Sequence, residues 1–181
     1  MPHWLNSRPM IRLISIAAAA VLLAAGCFSS ASVQDLPKPI GRYGAWQALT
    51  FEEAGNVACY MISEPAKSEG KYNSRGKVYA LVTHRPTSKQ LNVLTVIAGY
   101  TYKDKSDVTI EIGEDKFSLF TDQGTAWTPD AETDQKLVDA MKNGTNMIVR
   151  GVSSRDTETI DTYSLQGFTK AYNAIGEACG L

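Results

Sequence analysis

The sequence predicts a mainly β protein, an antiparallel β-sandwich or strongly bent barrel of about eight strands with two short helices, the second at the C-terminus. Three observations lead to this prediction. Short segments rich in β-branched and aromatic residues recur along the chain at strand-like length. Clusters of turn-forming residues separate them at close spacing. Two stretches show the periodicity of an amphipathic helix.

The strand-like segments follow one another closely. The connection Gly113-Glu114-Asp115 is short enough to join its two neighbours as an antiparallel hairpin. In chain order, the predicted strands cover residues 45–51, 57–62, 78–83, 91–98, 108–112, 116–121, 147–152 and 159–165.

Two helices interrupt this pattern. The first is predicted over Ala131–Asn143, where acidic residues in the first turn and Lys142 in the last suit the helix dipole. Gly144 follows directly, which predicts a left-handed cap. The second is predicted over Phe168–Ala178, with an apolar stripe that should pack onto the sheet. The stripe consists of Phe168, Ala171, Tyr172 and Ile175.

Length and charge exclude several classes of protein. The chain has 181 residues, enough for one domain of ordinary size. Its 18 Lys and Arg residues are balanced by 19 Asp and Glu residues, so nucleic acid is excluded as the main partner. Apolar residues are spread along the whole length, which argues against intrinsic disorder.

Residues 1–26 are predicted to be a signal peptide. Arg8 and Arg12 give a basic start, residues 13–25 are apolar apart from Ser15, and small residues follow. The apolar run is shorter than the stretch of about 20 residues that a membrane-spanning helix needs. We therefore expect an exported protein, located in the periplasm or at the outer membrane and cell surface.

The end of this segment, Leu23-Ala24-Ala25-Gly26-Cys27, resembles a bacterial lipobox, in which the cysteine is acylated and becomes the new N-terminus. The sequence thus predicts lipidation of Cys27 and a membrane anchor, with cleavage after Ala31 by an ordinary signal peptidase as the alternative. Residues 27–42 contain two prolines and read as a flexible tether. The folded domain is then expected over residues 43–181.

Three cysteines occur, Cys27, Cys59 and Cys179. If Cys27 is acylated or removed, the remaining two are predicted to form a disulfide that joins the two ends of the fold. The alternative is two separate buried thiols. A zinc site is disfavoured because only His84 accompanies the two cysteines beyond the signal peptide.

The search for catalytic chemistry finds no motif. His84 would have to serve any Ser-His-Asp or Cys-His arrangement, and its place beside Arg85-Pro86 reads as a solvated turn histidine. The nucleophile elbow, the P-loop and the dinucleotide fingerprint are missing from the sequence. The sequence therefore predicts no catalytic residue, no cofactor site and no metal ligand.

Contact residues are expected in two polar stretches. A Gly-, Ser- and Asn-rich loop carries Arg75 among several lysines, and Tyr100 and Tyr102 precede another lysine pair. Arg75, Tyr100 and Tyr102 are the predicted contact surface, because aromatic and basic residues dominate binding energy at interfaces. The alternatives are a plain hydrophilic loop and a strand edge that lysines protect against pairing.

The C-terminal half carries a resemblance to a known family. Its most specific piece is the run Tyr163-Ser164-Leu165-Gln166-Gly167-Phe168-Thr169-Lys170-Ala171, and Trp46, Cys59 and Cys179 complete the pattern. The chain resembles the invasion-associated locus B family of α-proteobacteria over roughly residues 43–180. The resemblance implies an exported, sandwich-like protein with a Trp and a Cys near its start and a Cys at its end.

The family name comes from entry into red blood cells by one pathogenic branch, and the family supplies no catalytic residues. We therefore expect a non-enzymatic envelope protein whose loops contact an envelope or host-surface component. The alternative is a periplasmic hydrolase or small-ligand carrier. An apolar cavity between the sheet and the C-terminal helix would favour a carrier, and a polar cleft containing His84 would favour an enzyme. Five residues are expected as core anchors: Trp46, Trp127, Tyr163, Leu165 and Phe168.

Overall fold

The computed structural model describes residues 36–181. The predicted signal peptide, Cys27 and most of the predicted tether lie outside the described residues. Within the described range, eleven strands form a single antiparallel sheet accompanied by two helices. Neither of these helices is long and apolar enough to span a bilayer. The strands are β1 Lys38–Tyr43, β2 Trp46–Glu53, β3 Asn56–Ser63, β4 Lys67–Gly70, β5 Tyr79–Arg85, β6 Gln90–Ile97, β7 Val108–Ile112, β8 Asp115–Asp122, β9 Thr125–Trp127, β10 Asn146–Val152 and β11 Glu158–Ser164; the helices are α1 Ala131–Asn143 and α2 Phe168–Ala178.

The sheet has the strand order β1-β2-β3-β5-β6-β9-β8-β7-β10-β11-β4. Over residues 36–181 its two edge strands, β1 and β4, do not pair with each other, so the sheet is not closed into a barrel. We call the strands from β1 to β9 in this order the first arm and those from β7 to β4 the second arm, with β8 between them. The arms share one core, and the Nε1–H of Trp46 in β2 donates to the carbonyl oxygen of Ser164 in β11 at 3.0 Å.

The predicted mainly β class is confirmed, with eleven strands rather than about eight. The three additional strands are β1, β4 and β9. β1 contains Pro39 and Gly41, β4 consists of four exposed residues, and β9 is three residues long. β1 includes residues that were assigned to the tether, and β4 lies in the segment that was expected to be a loop. Such strands owe their conformation to their neighbours rather than to their own pattern.

Both helices have their predicted bounds. The carboxylate of Asp130 caps α1 by accepting the backbone N–H of Thr133 at 2.7 Å. The predicted left-handed cap at Gly144 is wrong, because this residue is extended, with φ −83° and ψ 167°. A Cβ atom there would lie 2.5 Å from the side chain of Ile112 and 2.9 Å from that of Leu165. Glycine is needed at this position for close packing rather than for an unusual backbone angle.

Helix α2 closes the core against the first arm. The rings of Trp46 and Phe168 meet edge to face, with centroids 5.1 Å apart, and Ile175 is fully buried beside them. The predicted disulfide is present: Cys59 in β3 is bonded to Cys179 at the end of α2, across 120 residues of sequence. The covalent bond therefore holds the last helix on the sheet.

Candidate functional site

The strands of the first arm carry apolar side chains on both of their faces. Alternate residues point towards the helices and form the inner face, which includes the fully buried Trp46 and Leu94. The others point the opposite way and keep part of their surface open. Within residues 36–181, both helices pack on the inner side. We call the opposite side, together with the adjoining side of β8, the outer face. Its large apolar residues are Leu49, Phe51, Tyr60, Ile62, Tyr79, Leu81, Val93, Ile97, Phe120 and Trp127.

The strand register makes the outer face continuous. Leu49 lies opposite Tyr60, Ile62 opposite Leu81, and Phe120 opposite Trp127. The rings of Phe120 and Trp127 have centroids 5.8 Å apart. Burial raises the pKa of Tyr60 above its ordinary value, so its phenol stays neutral at physiological pH. The centre of the outer face is therefore uncharged and rich in aromatic rings.

Charged groups lie at the margin of this face. Arg42 is on the edge strand β1 and Asp122 is at the end of β8, each in register with an outer-face position. Glu53 and Arg85 form an ion pair at the ends of their strands, with 2.7 Å between Oε2 and Nε. The rim thus carries both signs of charge.

The sequence predictions missed the outer face, although a signal for it exists. Residues 60–62 and 80–82 are continuous apolar runs rather than alternating ones, and residues 93–97 are apolar apart from Thr95. Continuous runs indicate strands that lose water on both faces. The expectation that Trp127 is a core anchor is wrong: it lies on the outer face, paired with Thr95 and Phe120, and is partly exposed. The other four expected anchors are buried: Trp46, Tyr163, Leu165 and Phe168.

The three predicted contact residues come together at another place, beside the second arm. The guanidinium of Arg75 donates to both carboxylate oxygens of Asp161, at 2.8 and 2.7 Å, and its Nε donates to the carbonyl oxygen of Ala98 at 2.7 Å. Its central carbon lies 5.0 Å from the centroid of the Tyr100 ring. Tyr100 and Tyr102 pack edge to face, with centroids 5.2 Å apart.

This cluster is mostly internal, which corrects the expectation of an exposed contact surface. The side chain of Arg75 is 5% exposed and Tyr102 is also 5% exposed. Burial would lower the pKa of Arg75, but the hydrogen bonds and charge of Asp161 outweigh it and raise that pKa. Burial raises the pKa of Tyr102 well above its usual range. Only Tyr100 retains a larger exposed part, at the wall of a polar cleft of about 700 Å³.

His84 is not the solvated turn histidine that the sequence suggested. It is 1% exposed, and its Nδ1 accepts the backbone N–H of Asn92 at 3.1 Å. Its ring lies edge to face with that of Tyr172 in α2, with centroids 5.3 Å apart. Burial, together with the nearby charge of Lys142, lowers the pKa of His84. In the described part of the chain, no group of three or more His, Cys, Asp or Glu side chains is placed to hold a metal ion.

Comparison with known proteins finds a family and a solved structure that resemble this chain. The family model described as "Invasion associated locus B (IalB) protein" matches residues 46–176. A crystal structure of invasion associated protein B from Bartonella henselae is similar to this chain, with a TM-score of 0.54 and 15% sequence identity, covering 80% of this chain and 97% of that chain. At that identity the likeness is one of fold. No curated protein sequence matches the chain significantly.

Proposed function

The chain belongs to the invasion associated locus B (IalB) family, and on that premise we propose that it is a non-enzymatic protein of the cell envelope that binds another protein through its outer face. Export by the segment 1–26 and lipidation of Cys27 are part of the proposal. The partner is a protein of the envelope or of a host surface. The observation that carries the proposal is the outer face itself.

The outer face leaves apolar side chains partly exposed across one side of the sheet. Ten large apolar side chains lie side by side on one face, and Phe120 at its end is 49% exposed. Soluble domains rarely leave large contiguous apolar patches open, and those that do use them for contact. Covering such a patch stabilises a complex by about 25 cal/mol for each Å² of apolar surface removed from water.

The shape and the charges of this face favour a protein as the occupant. One cleft of about 550 Å³ lies on this face, beside Leu49, Tyr60 and Tyr79. The apolar residues extend well beyond it to Phe120 and Trp127, and small ligands bind in concave pockets rather than across a sheet face. An anionic lipid surface would call for a basic rim. Here the rim holds Asp122 and Glu53 as well as Arg42 and Arg85. An apolar, aromatic centre with a rim of mixed charge is the usual composition of a protein–protein interface.

Two further observations support binding rather than catalysis. The Nδ1 of His84 is engaged by the backbone of Asn92, and the ring is buried. A general base needs access to the proton that it takes. The space between the sheet and α2, where a carrier would hold its ligand, is filled by Trp46, Phe168 and Ile175, each at most 1% exposed. His84 is therefore not placed to act as a general base, and the space under α2 leaves no room for the ligand of a carrier.

The contact is tested by placing a photo-cross-linking amino acid at Phe120 in intact cells. Val57 provides a matched control, because it is also 49% exposed but lies on the inner side of β3. We expect a reproducible protein adduct from position 120 and none from position 57. The same adducts from both positions, or no protein adduct from position 120, would contradict the proposed interface.

Lipidation of Cys27 is tested separately by metabolic labelling with a palmitate analogue. We expect label in the wild-type protein and none in Cys27→Ala. Equal labelling of both proteins, or no labelling of the wild type, would show an exported protein without this anchor and would leave the outer-face contact to be judged by the cross-linking result.

A further inference from the structure

A polar cleft lies beside the Arg75 cluster, where three segments of the chain meet. Residues 71–76, 99–101, 153–155, 157 and 159 line it, and its volume is about 700 Å³. The N–H of Gly76 donates to the carbonyl oxygen of Gly99 at 2.8 Å, and the N–H of Ser154 donates to that of Thr101, also at 2.8 Å. These bonds tie the three segments together, so the walls of the cleft are fixed by the fold.

The charges that line the cleft are all positive. Its lining contains Lys71, Arg75 and Arg155 but no aspartate and no glutamate, although acids outnumber bases in the whole chain. Arg75 is matched by Asp161 below the cleft. Across residues 36–181, Lys71 and Arg155 take part in no ion pair. The cleft therefore presents to solvent two positive charges that are not bound in an ion pair among residues 36–181.

Three acidic groups, Glu69, Asp156 and Glu158, line an adjoining cleft that also includes Lys71. Glu69 forms an ion pair with Lys67. Asp156, the neighbour of Arg155, forms an ion pair with Lys103 instead. The turn that carries Arg155 is held by Ser153, whose Oγ accepts the backbone N–H groups of Arg155 at 3.3 Å and Thr157 at 3.2 Å. The turn thus fixes the backbone of Arg155, and its exposed side chain lines the cleft.

Two aromatic rings complete the lining. Tyr72 and Tyr100 lie on the guanidinium of Arg75, with ring centroids 5.5 and 5.0 Å from its central carbon. The hydroxyl of Tyr100 is fixed by a 2.6 Å hydrogen bond with Oγ1 of Thr159. The buried ion pair therefore orients both rings before any ligand arrives, and pre-ordered groups lose less entropy on binding.

We propose that this cleft binds an anionic saccharide, a sugar that carries carboxylate, sulfate or phosphate groups. Lys71 and Arg155 bind the anionic groups, and Tyr72 and Tyr100 pack against the apolar face of a sugar ring. Serine and threonine hydroxyls of the lining exchange hydrogen bonds with the hydroxyls of the sugar. This site shares no residue with the outer face and does not depend on the protein contact proposed there.

Other anionic ligands fit the cleft less well. The lining holds no Leu, Ile, Val, Met or Phe, so the acyl chains of a phospholipid have no apolar wall to occupy. Nucleic acids bind through many phosphates at once. Two free cations on an acidic protein do not provide that.

The test is calorimetric titration of the purified full chain with three oligosaccharides. A heparin oligosaccharide represents a host glycan, the core oligosaccharide of lipopolysaccharide represents the bacterial surface, and maltoheptaose is the neutral control. We expect binding of at least one anionic oligosaccharide and none of maltoheptaose. Which of the two anionic probes binds more tightly identifies the source of the ligand.

Variants locate the site. Combined Lys71→Ala and Arg155→Ala should weaken binding by about tenfold or more, and Tyr72→Ala should weaken it as well. Combined Lys38→Ala and Lys170→Ala is the matched control, because both lysines are exposed and the change in charge is the same. Binding of maltoheptaose as tight as that of the anions, no binding of either anion, or an equal loss in the control variant would overturn the proposal. The cross-linking result at Phe120 is independent of each of these outcomes.

Discussion

The two faces of the first arm differ in what covers them rather than in what they are made of. The inner face places Trp46 and Leu94 at 0% exposure under the helices, whereas the outer face leaves Trp127 partly open and Phe120 49% exposed. Both helices of the described chain lie on one side of the sheet. Apolar composition alone therefore does not decide which face of a strand the protein itself covers.

Polar groups on the inner side are also enclosed between the helices and the sheet. The Asp134 carboxylate accepts the N–H of Leu94 at 2.9 Å, and burial raises its pKa despite that bond. The hydroxyl of Tyr172 donates to Oδ1 of Asn92, and Nδ2 of Asn92 donates to Oε1 of Gln135, both at 2.7 Å. Shifted pKa values often mark functional sites. In this protein, these buried groups serve to fasten α1 and α2 to the sheet.

The largest effect is expected where a buried charge would lose its partner. Arg75→Met leaves the Asp161 carboxylate, 4% exposed, without its guanidinium. Such a change costs about 3–5 kcal/mol of the free energy of unfolding, measurable by denaturant titration. Arg75→Met combined with Asp161→Leu should recover part of the loss. A loss below about 1 kcal/mol would show that this ion pair behaves as an exposed one.

Removal of the disulfide is expected to have the next largest effect on stability, because this bond holds α2 over the inner face. Cys59→Ser combined with Cys179→Ser should lower the free energy of unfolding by about 2–4 kcal/mol, with the circular dichroism spectrum unchanged. Intact mass after alkylation should show no free thiol at these two positions before reduction and two after it. Two free thiols in the protein taken from cells would contradict the bond.

The pH dependence of stability should reveal that His84 takes up a proton when the protein unfolds. Its pKa is lowered in the folded protein by burial and by Lys142, so the unfolded chain binds a proton more readily. Stability is therefore retained above the ordinary pKa of 6.5 and falls as the pH drops below it. The slope is at most about 1.4 kcal/mol per pH unit.

The measurement compares melting temperature against pH for the wild type and for His84→Asn, whose Oδ1 can accept the Asn92 N–H. The wild type should lose more stability than the variant between pH 7 and pH 5. Asp134 titrates in both proteins and cancels in the difference. Parallel curves would show that His84 is not protonated on unfolding.

The smallest change in stability is expected at the outer face. Phe120→Lys should alter the free energy of unfolding by about 0.5 kcal/mol or less, because half of the side chain is already in water. Val57→Lys, at equal exposure, should behave in the same way. If Phe120→Lys destabilises the free protein by several kcal/mol, this face is part of the domain's own core.

Sequence patterns predicted those elements that are specified locally. The hairpin of β7 and β8 follows from a short turn between two apolar strands, and both helices follow from periodicity and flanking charges. The edge strands β1 and β4 were missed because proline, glycine and exposed polar residues dominate them. Their pairing with β2 and β11 creates them.

Sequence patterns were enough to predict the mainly β class and the bounds of the helices, and the count of cysteines favoured the bond between Cys59 and Cys179 that the structure contains. The tertiary structure alone decided which side chains are enclosed. Arg75 is buried because Asp161 lies opposite it from 86 residues away, and the Trp46 indole is satisfied by a carbonyl 118 residues away. Among the described residues, no distant segment encloses Trp127, and its side chain stays partly exposed. Burial depends on segments that are far apart along the chain, so no local pattern could decide it.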